Sequence, residues 1–295
     1  MWKLFAFISI ATGQPPSPSN PLDLTVTPSG GYSLHTTSGW TLTGAPVRAL
    51  ISGTWLNSSD GSLVLGHPPS TLAGADAWGA YNATTLTWCA SSSPSTPLVT
   101  TTFLLYLSAP IVGFRATFPG GLGPRSAGAP TPSAPDSDGL SLEFPAFEMD
   151  GGGASLGFMQ WSGTMLNNKN DVGPNAGPWA LGTPVAPGLA SGPVVLFDSE
   201  AANSLVLSPA SNFMGVSAAA SVGGGALAWG PLGSFDGIPP GWAYDCMAHF
   251  GPTINSNVMA WGGALLDRYG KARGLSKVDY TNTHLGYNTD NGMCC

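Results

Sequence analysis

Apolar and polar residues alternate with a period of two along most of this chain. From Leu98 to Leu107, the residues Val99, Phe103, Leu105 and Leu107 fall on one face. From Ile111 to Phe118, Val112, Phe114, Ala116 and Phe118 share a face, with Gly113, Arg115 and Thr117 opposite. Successive side chains of a strand point to opposite sides, so this alternation predicts two strands. The short Ser108-Ala109-Pro110 connection joins them as a hairpin. Similar short runs occupy Leu22 to Val26, Arg48 to Leu56, Ser62 to Leu65, Thr84 to Cys89, Leu142 to Met149, Leu156 to Trp161, Pro193 to Phe197, Ser204 to Leu207 and Ala226 to Trp229. Turn residues separate nearly all of them and no helical period intervenes. The prediction is a mainly β protein with a large antiparallel β-sandwich over residues 20–252.

Three stretches depart from this pattern. Pro119 to Asp138 is rich in Gly, Pro, Ala and Ser and reads as a surface loop. Ser162 to Gly192 is longer and carries Asn167, Asn168, Lys169, Asn170, Asp171 and Trp179. Loops of that length commonly carry function, and its amides and indole suit a ligand-facing role. After Phe250, with Asn255 as the expected N-cap, Val258, Trp261, Leu265, Leu266 and Tyr269 recur at helical steps until Gly270 stops them. A short strand, Thr283 to Tyr287, follows and leads into Asn288-Thr289-Asp290-Asn291-Gly292.

Composition narrows the function. Only 8% of the 295 residues are charged, against roughly 25% in an average soluble domain, so hydroxyls and amides must wet the surface. With 9 basic and 16 acidic residues the net charge is −7, and no basic cluster could neutralise a run of phosphates. Nucleic acid is excluded as a natural partner. Lys3 ahead of the apolar run Leu4 to Ala11, then small residues to Gly13, reads as a signal peptide over residues 1–13, the alternative being an apolar first strand. No other stretch is long enough to span a bilayer. Secretion would make Asn57 and Asn82, each in an Asn-X-Ser/Thr sequon, glycosylation sites. Cys89 and Cys246 either pair across a long loop or remain buried thiols, and the adjacent Cys294 and Cys295 complete a count of four without a CxxC spacing.

Motifs that would carry chemistry are sparse. Gly153-Ala154-Ser155-Leu156-Gly157 has the spacing of a nucleophile elbow, which needs a strand before it and a helix after it. Here a triple glycine precedes it and a strand-like run follows, so a Gly-rich hairpin turn is the better reading. His35, His67, His249 and His284 are scattered without metal-ligand spacing. Glu143, Glu148 and Asp150 share one strand and turn, and paired carboxylates are what glycoside cleavage requires, but exposed carboxylates on a solvated edge are the better reading. No catalytic residue, metal ligand or cofactor is assigned. Ten tryptophans are more suggestive, because pyranose C–H faces pack on indole. Trp78, Trp161 and Trp179 lie at or beside Gly-rich loops.

The later part of the chain resembles a known family. Leu205-Val206-Leu207-Ser208-Pro209 with Asn212-Phe213-Met214, Gly237-Ile238-Pro239-Pro240-Gly241, Trp261-Gly262 through Tyr269-Gly270-Lys271, and Leu285 to Gly292 are similar to raffinose-synthase-like and α-galactosidase-like glycosidases. The resemblance covers roughly residues 140–292. It implies a sandwich of the supersandwich type, a linking helix over 253–274, and the start of a (β/α)₈ barrel over 275–295. Leu285 to Tyr287 would then be the first barrel strand, with Asp290 at its C-terminal end, where such barrels bind substrate. The nucleophile and acid/base carboxylates of these enzymes lie on later strands. Met293-Cys294-Cys295 stands where an aromatic run is expected, so the expectation is a truncated, non-catalytic portion acting with oligosaccharide. Asp290 is otherwise a solvated turn. Two rival readings remain. One is a free-standing carbohydrate-binding module using Trp161, Asn167, Asn168, Lys169 and Trp179. The other is a structural extracellular β-domain.

Overall fold

The computed structural model describes residues 19–123, 139–150, 155–162, 173–186, 191–272, 274 and 283–284. The chain opens with a meander of β1 (Leu22–Val26), β2 (Tyr32–Thr36) and β3 (Thr41–Thr43), followed by the hairpin β4 (Arg48–Ile51) and β5 (Thr54–Asn57). It then builds one edge of a large sheet with β6 (Leu63–Leu65), β7 (Ser70–Asp76), β8 (Gly79–Ala90), β9 (Pro97–Tyr106) and β10 (Ile111–Phe118). The short strands β11 (Leu142–Glu143) and β12 (Ala146–Glu148) return to the opposite layer. Next, β13 (Gly157–Ser162), β14 (Gly173–Pro178), β15 (Val194–Phe197) and β16 (Asn203–Pro209) extend the large sheet on its other side. Strands β17 (Val216–Ala220) and β18 (Ala226–Pro231) rejoin the opposite layer, and β19 (Trp242–Pro252) closes the centre of the large sheet before helix α1 (Ile254–Arg268).

The result is two antiparallel layers. One is a ten-stranded sheet in the order β14-β13-β15-β16-β19-β10-β9-β8-β6, with β7 also on β8. The other comprises three three-stranded sheets, β1-β2-β3, β11-β4-β5 and β12-β18-β17. Backbone bonds stitch these three together: Ala45 N–H to Ala146 O, Phe144 N–H to Trp229 O and Ser141 N–H to Pro231 O, each 2.9 Å. Between the layers, Tyr32, Phe103, Phe114, Phe144 and Phe147 pack tilted or edge-on, with centroids 5.0–6.1 Å apart, the geometry that the ring quadrupole favours. The Tyr32 hydroxyl donates to Ala146 O at 2.6 Å and accepts from Ala146 N–H at 2.7 Å, so a buried phenol joins two sheets of one layer.

The mainly β, sandwich-type prediction matches this architecture, and the Leu22–Val26 and Ile111–Phe118 runs coincide with β1 and β10. Elsewhere local chemistry redraws the boundaries. The Arg48–Leu56 run is split into β4 and β5 by a turn with positive φ at Ser52 and Gly53. Leu142–Met149 is interrupted at the cis Phe144–Pro145 bond. Part of the expected loop Ser162–Gly192 is the strand β14, whose two prolines are tolerated because it sits at the sheet edge, where a ladder donor is dispensable. Leu107, expected on the buried face, is 52% exposed just beyond the end of β9.

Helix α1 begins earlier than expected. Thr253, not Asn255, is the N-cap, its hydroxyl accepting from Ser256 N–H at 3.4 Å. The predicted stop is present: Gly270 takes φ 59°, with Gly270 N–H to Asp267 O and Lys271 N–H to Leu266 O, the paired bonds of a Schellman ending. The apolar side of the helix lies against the outer surface of the large sheet, where Trp261, Ala264 and Leu265 pack on Ala83, Leu104, Tyr106, Ile111, Ala210 and Met247. Most of the expected strand Thr283 to Tyr287, and the expected signal peptide, lie outside the described residues.

Candidate functional site

Strand register defines the outer face of the large sheet. Phe158, Val194, Leu207, Cys246 and Phe114 point into the core, so their neighbours one residue along point outward. Gln160 pairs with Val194 and Val194 with Leu207, which aligns Trp161, Pro193 and Ser208 in one outward row; Ser208 then pairs with Met247, and Met247 with Gly113. Helix α1 crosses this row, and the Trp261 indole N–H donates to Ser208 Oγ at 2.8 Å. Between the helix, β16, β17 and the Ser191–Pro193 segment lies a cavity of about 350 Å³. Pro193, Pro209, Phe213, Met214, Trp261 and Leu265 form much of its wall, and its polar groups include the hydroxyls of Ser191, Ser208 and Ser217. Met214 is 87% exposed at the rim, and the Phe213 and Tyr269 rings meet there at 6.1 Å.

The chemistry of this cavity is that of an apolar receptacle. Among its described lining residues none is ionisable. Its hydroxyls are engaged: Ser208 donates to Pro209 O at 2.9 Å, and Ser191 accepts from Gln160 Nε2 at 2.7 Å. Such a wall excludes water and receives an apolar group, but it holds no general acid or base.

The ionised side chains are engaged elsewhere. Asp245, on the outer face of β19, receives Arg115 Nε at 2.7 Å and Arg268 Nη2 at 2.5 Å. That hydrogen bond is the main reason the Arg115 guanidinium holds its proton more tightly than usual. The Arg268 guanidinium also stacks 4.8 Å above the Trp78 ring, while the Trp78 indole donates to Ala264 O at 2.7 Å. Beneath them Tyr106 donates to Asp76 Oδ2 at 2.6 Å, and burial, then this carboxylate, push the phenol pKa up. This cluster latches the end of α1 to the sheet. In the other layer, Glu143 is 2% exposed and accepts from Ser221 Oγ and Val222 N–H, both at 2.7 Å, beside Arg48 at 3.4 Å. Glu143 is therefore half of a buried ion pair, not an exposed edge carboxylate.

The predicted site residues separate. Trp161 is 41% exposed on the outer face of β13, one strand from Pro193 at the cavity. Trp179 is fully buried, its indole donating to Glu148 O at 3.1 Å. A ring with no free face cannot stack on a sugar, so Trp179 is a core residue rather than a ligand contact. Asn167, Asn168, Lys169 and Asp290 lie outside the described residues. Asn57 ends β5 with its side-chain oxygen accepting from Ser59 N–H at 2.9 Å, and Asn82 is exposed on β8. Ser155 sits in a turn that leads into the strand β13, not into a helix, as its Gly-rich context suggests. Cys89 and Cys246 are buried free thiols, which excludes their pairing in this structure. Sequence reasoning missed Asp245, although a lone carboxylate in the apolar run Trp242 to Phe250 marks an obligatory partner.

No family model matches the chain, and no curated protein matches it in sequence. Solved structures do. A quadruple mutant of the α-N-acetylgalactosaminidase NagBb from Bifidobacterium bifidum aligns with 87% of this chain and 39% of its own, at TM-score 0.50 and 12% identity. The GH36 α-galactosidase AgaA from Geobacillus stearothermophilus aligns over 86% of this chain and 38% of its own, at TM-score 0.38 and 12% identity. An α-mannosidase from Enterococcus faecalis V583 aligns over 87% and 32%, at TM-score 0.43 and 8% identity. At this identity the likeness to NagBb is one of fold. The chain has the fold of part of a glycoside hydrolase and spans about two fifths of the NagBb chain.

Proposed function

We propose that this chain is the non-catalytic β-sandwich of a carbohydrate-active enzyme of the α-galactosidase or raffinose-synthase type, which cleaves or transfers α-galactosides or related oligosaccharides. The observation that carries this reading is the fold likeness to NagBb, which takes in 87% of this chain and 39% of the enzyme. The state of the buried or paired carboxylates supports it. Retaining cleavage needs two carboxyl groups about 5 Å apart and free to act on substrate, whereas Glu143, Asp245 and Asp76 are each held by structural partners. In this reading residues 20–252 are the sandwich, 253–274 the linking helix and 275–295 the opening of a barrel. Entry into the secretory route would accompany cleavage near Gly13 and glycosylation of Asn57 and Asn82.

The test is turnover of chromogenic α-galactoside and α-N-acetylgalactosaminide substrates by the purified 295-residue chain. The expected rate equals that of buffer; turnover that follows the protein through purification overturns the proposal. A second reading, oligosaccharide binding by the sandwich itself, draws on the 41% exposure of Trp161 beside the cavity. It expects raffinose-type oligosaccharides to shift tryptophan fluorescence in the wild type and not in Trp161→Ala.

A further inference from the structure

Helix α1 is held to the sheet at both ends, by clamps of different chemistry. At its C-terminal end the clamp is ionic, Arg268 to Asp245 and over Trp78. At its N-terminal end it is neutral. His249 Nδ1 lies 2.6 Å from Asn257 Oδ1, and the Asn257 amide donates to Ser204 O at 2.8 Å and His249 O at 3.1 Å. Because both amide bonds go to carbonyls, Oδ1 must accept, and Nδ1 must carry the proton. Neutral His249 is therefore the Nδ1–H tautomer, and a second proton would go to Nε2. His249 is 4% exposed and Asn257 is fully buried.

We propose that protonation of His249 opens the N-terminal clamp, so that mild acid loosens the first turns of α1 from the sheet while the Arg268 latch still holds. Three features of the site make the charged imidazole costly where it stands. First, it is nearly sealed from water, which disfavours its charged form. Second, the partner the helix offers it is the neutral Asn257 amide, which brings no negative charge to offset a second proton. Third, among the described residues no carboxylate is placed to compensate. Its cross-strand partners are Ile111 on β10 and Val206 on β16, and the helix offers it Asn257. The charged groups on these elements are Arg115, Asp245 and Arg268, bonded to one another, and Asp267, all toward the far end of α1. The other titratable groups of β19, Tyr244 and Cys246, face the core on its opposite side. Asp198, in the turn before β16, is engaged with Ala202 N–H and Asn203 Nδ2.

The sign follows. Burial holds the His249 pKa below its ordinary 6.5, while a released His249 titrates at the ordinary value. Docking is therefore fully stable above 6.5 and weakens as pH falls toward the depressed pKa, with the opening constant rising at most tenfold per pH unit. Since Trp261 and Leu265 lie on the same helix, the loosening reaches the wall of the 350 Å³ cavity. This clamp is a feature of the folded chain alone and does not depend on the proposed enzyme context.

The test is hydrogen exchange of the full chain between pH 7.5 and 5.0, corrected for intrinsic rates. Protection factors of amides at 257–261 are expected to fall severalfold below pH 6.5, while those of β10 and β19 amides do not, and the fall is expected to vanish in His249→Gln. A flat profile in the wild type, or the same rise in His249→Gln, overturns the proposal. Should His249→Gln fail to fold, NMR titration of the wild-type imidazole decides: a pKa at or above 6.5 overturns the proposal and a lower one, with exchange rising beneath 6.5, upholds it.

Discussion

Replacing Tyr32 by Phe removes one oxygen atom and leaves the aromatic cluster in place. That oxygen makes two buried bonds to Ala146, and the two consequences differ. The carbonyl of Ala146 keeps a second donor, Ala45 N–H at 2.9 Å, so it remains satisfied. The Ala146 N–H loses its bond to the phenol oxygen. A buried donor left unpaired costs about 1–3 kcal/mol, and the ring contacts with Phe103, Phe144 and Phe147 persist, so no cavity term is added. The expected loss is about 2 kcal/mol, against about 0.5 kcal/mol for Tyr269→Phe, whose hydroxyl bonds Ala210 O from a side chain 46% exposed. Urea unfolding followed by tryptophan fluorescence measures both, and an unchanged m-value would confirm that the same surface is exposed. Equal losses in the two variants, or a Tyr32→Phe loss under about 0.5 kcal/mol, would refute the view that this phenol stitches the meander to the second sheet of its layer.

Glu143→Ala leaves Val222 N–H without its acceptor and Arg48 without its counter-charge, although Arg48 still donates to Ser221 Oγ. Because Arg48 keeps 16% side-chain exposure, the expected loss is about 3 kcal/mol, the low end for a broken buried pair, again read by urea unfolding. Cys89 and Cys246 are buried, and burial pushes both thiols' pKa up. Peptide mapping after alkylation at neutral pH should find both unmodified in the native chain and both modified in denaturant.

How far the sequence reveals this architecture depends on how much of each element's signal is local. Strand β10 is legible because Val112, Phe114, Ala116 and Phe118 face the core while Arg115 faces out. Its central neighbour β19 is not, because Tyr244, Cys246 and Ala248 are buried on one side and Asp245, Met247 and His249 on the other. A strand covered on both faces loses its alternation. The covering element is α1, whose own period of Trp261 and Leu265 was legible although its landing place was not. Strand β14 carries almost no apolar signal, since its pairing with β13 is a backbone matter at an edge. The candidate site divides the same way. Exposure of Trp161 and burial of Trp179 are decided by strand register and by Glu148 O, neither of which a tryptophan beside a glycine-rich stretch discloses. The cavity joins residues 191–193, 208–218, 232 and 261–265, a juxtaposition made by tertiary contact alone.

The proposed function places this sandwich beside a catalytic barrel. It is tested most directly by reading the transcript across the codon for Cys295. The expected result is an open frame that continues for roughly 250 or more residues, the size of a (β/α)₈ barrel, with carboxylates at the C-terminal ends of its strands. A stop directly after Cys295 in the abundant mature transcript would contradict it and leave sugar binding by the sandwich alone as the function to be measured.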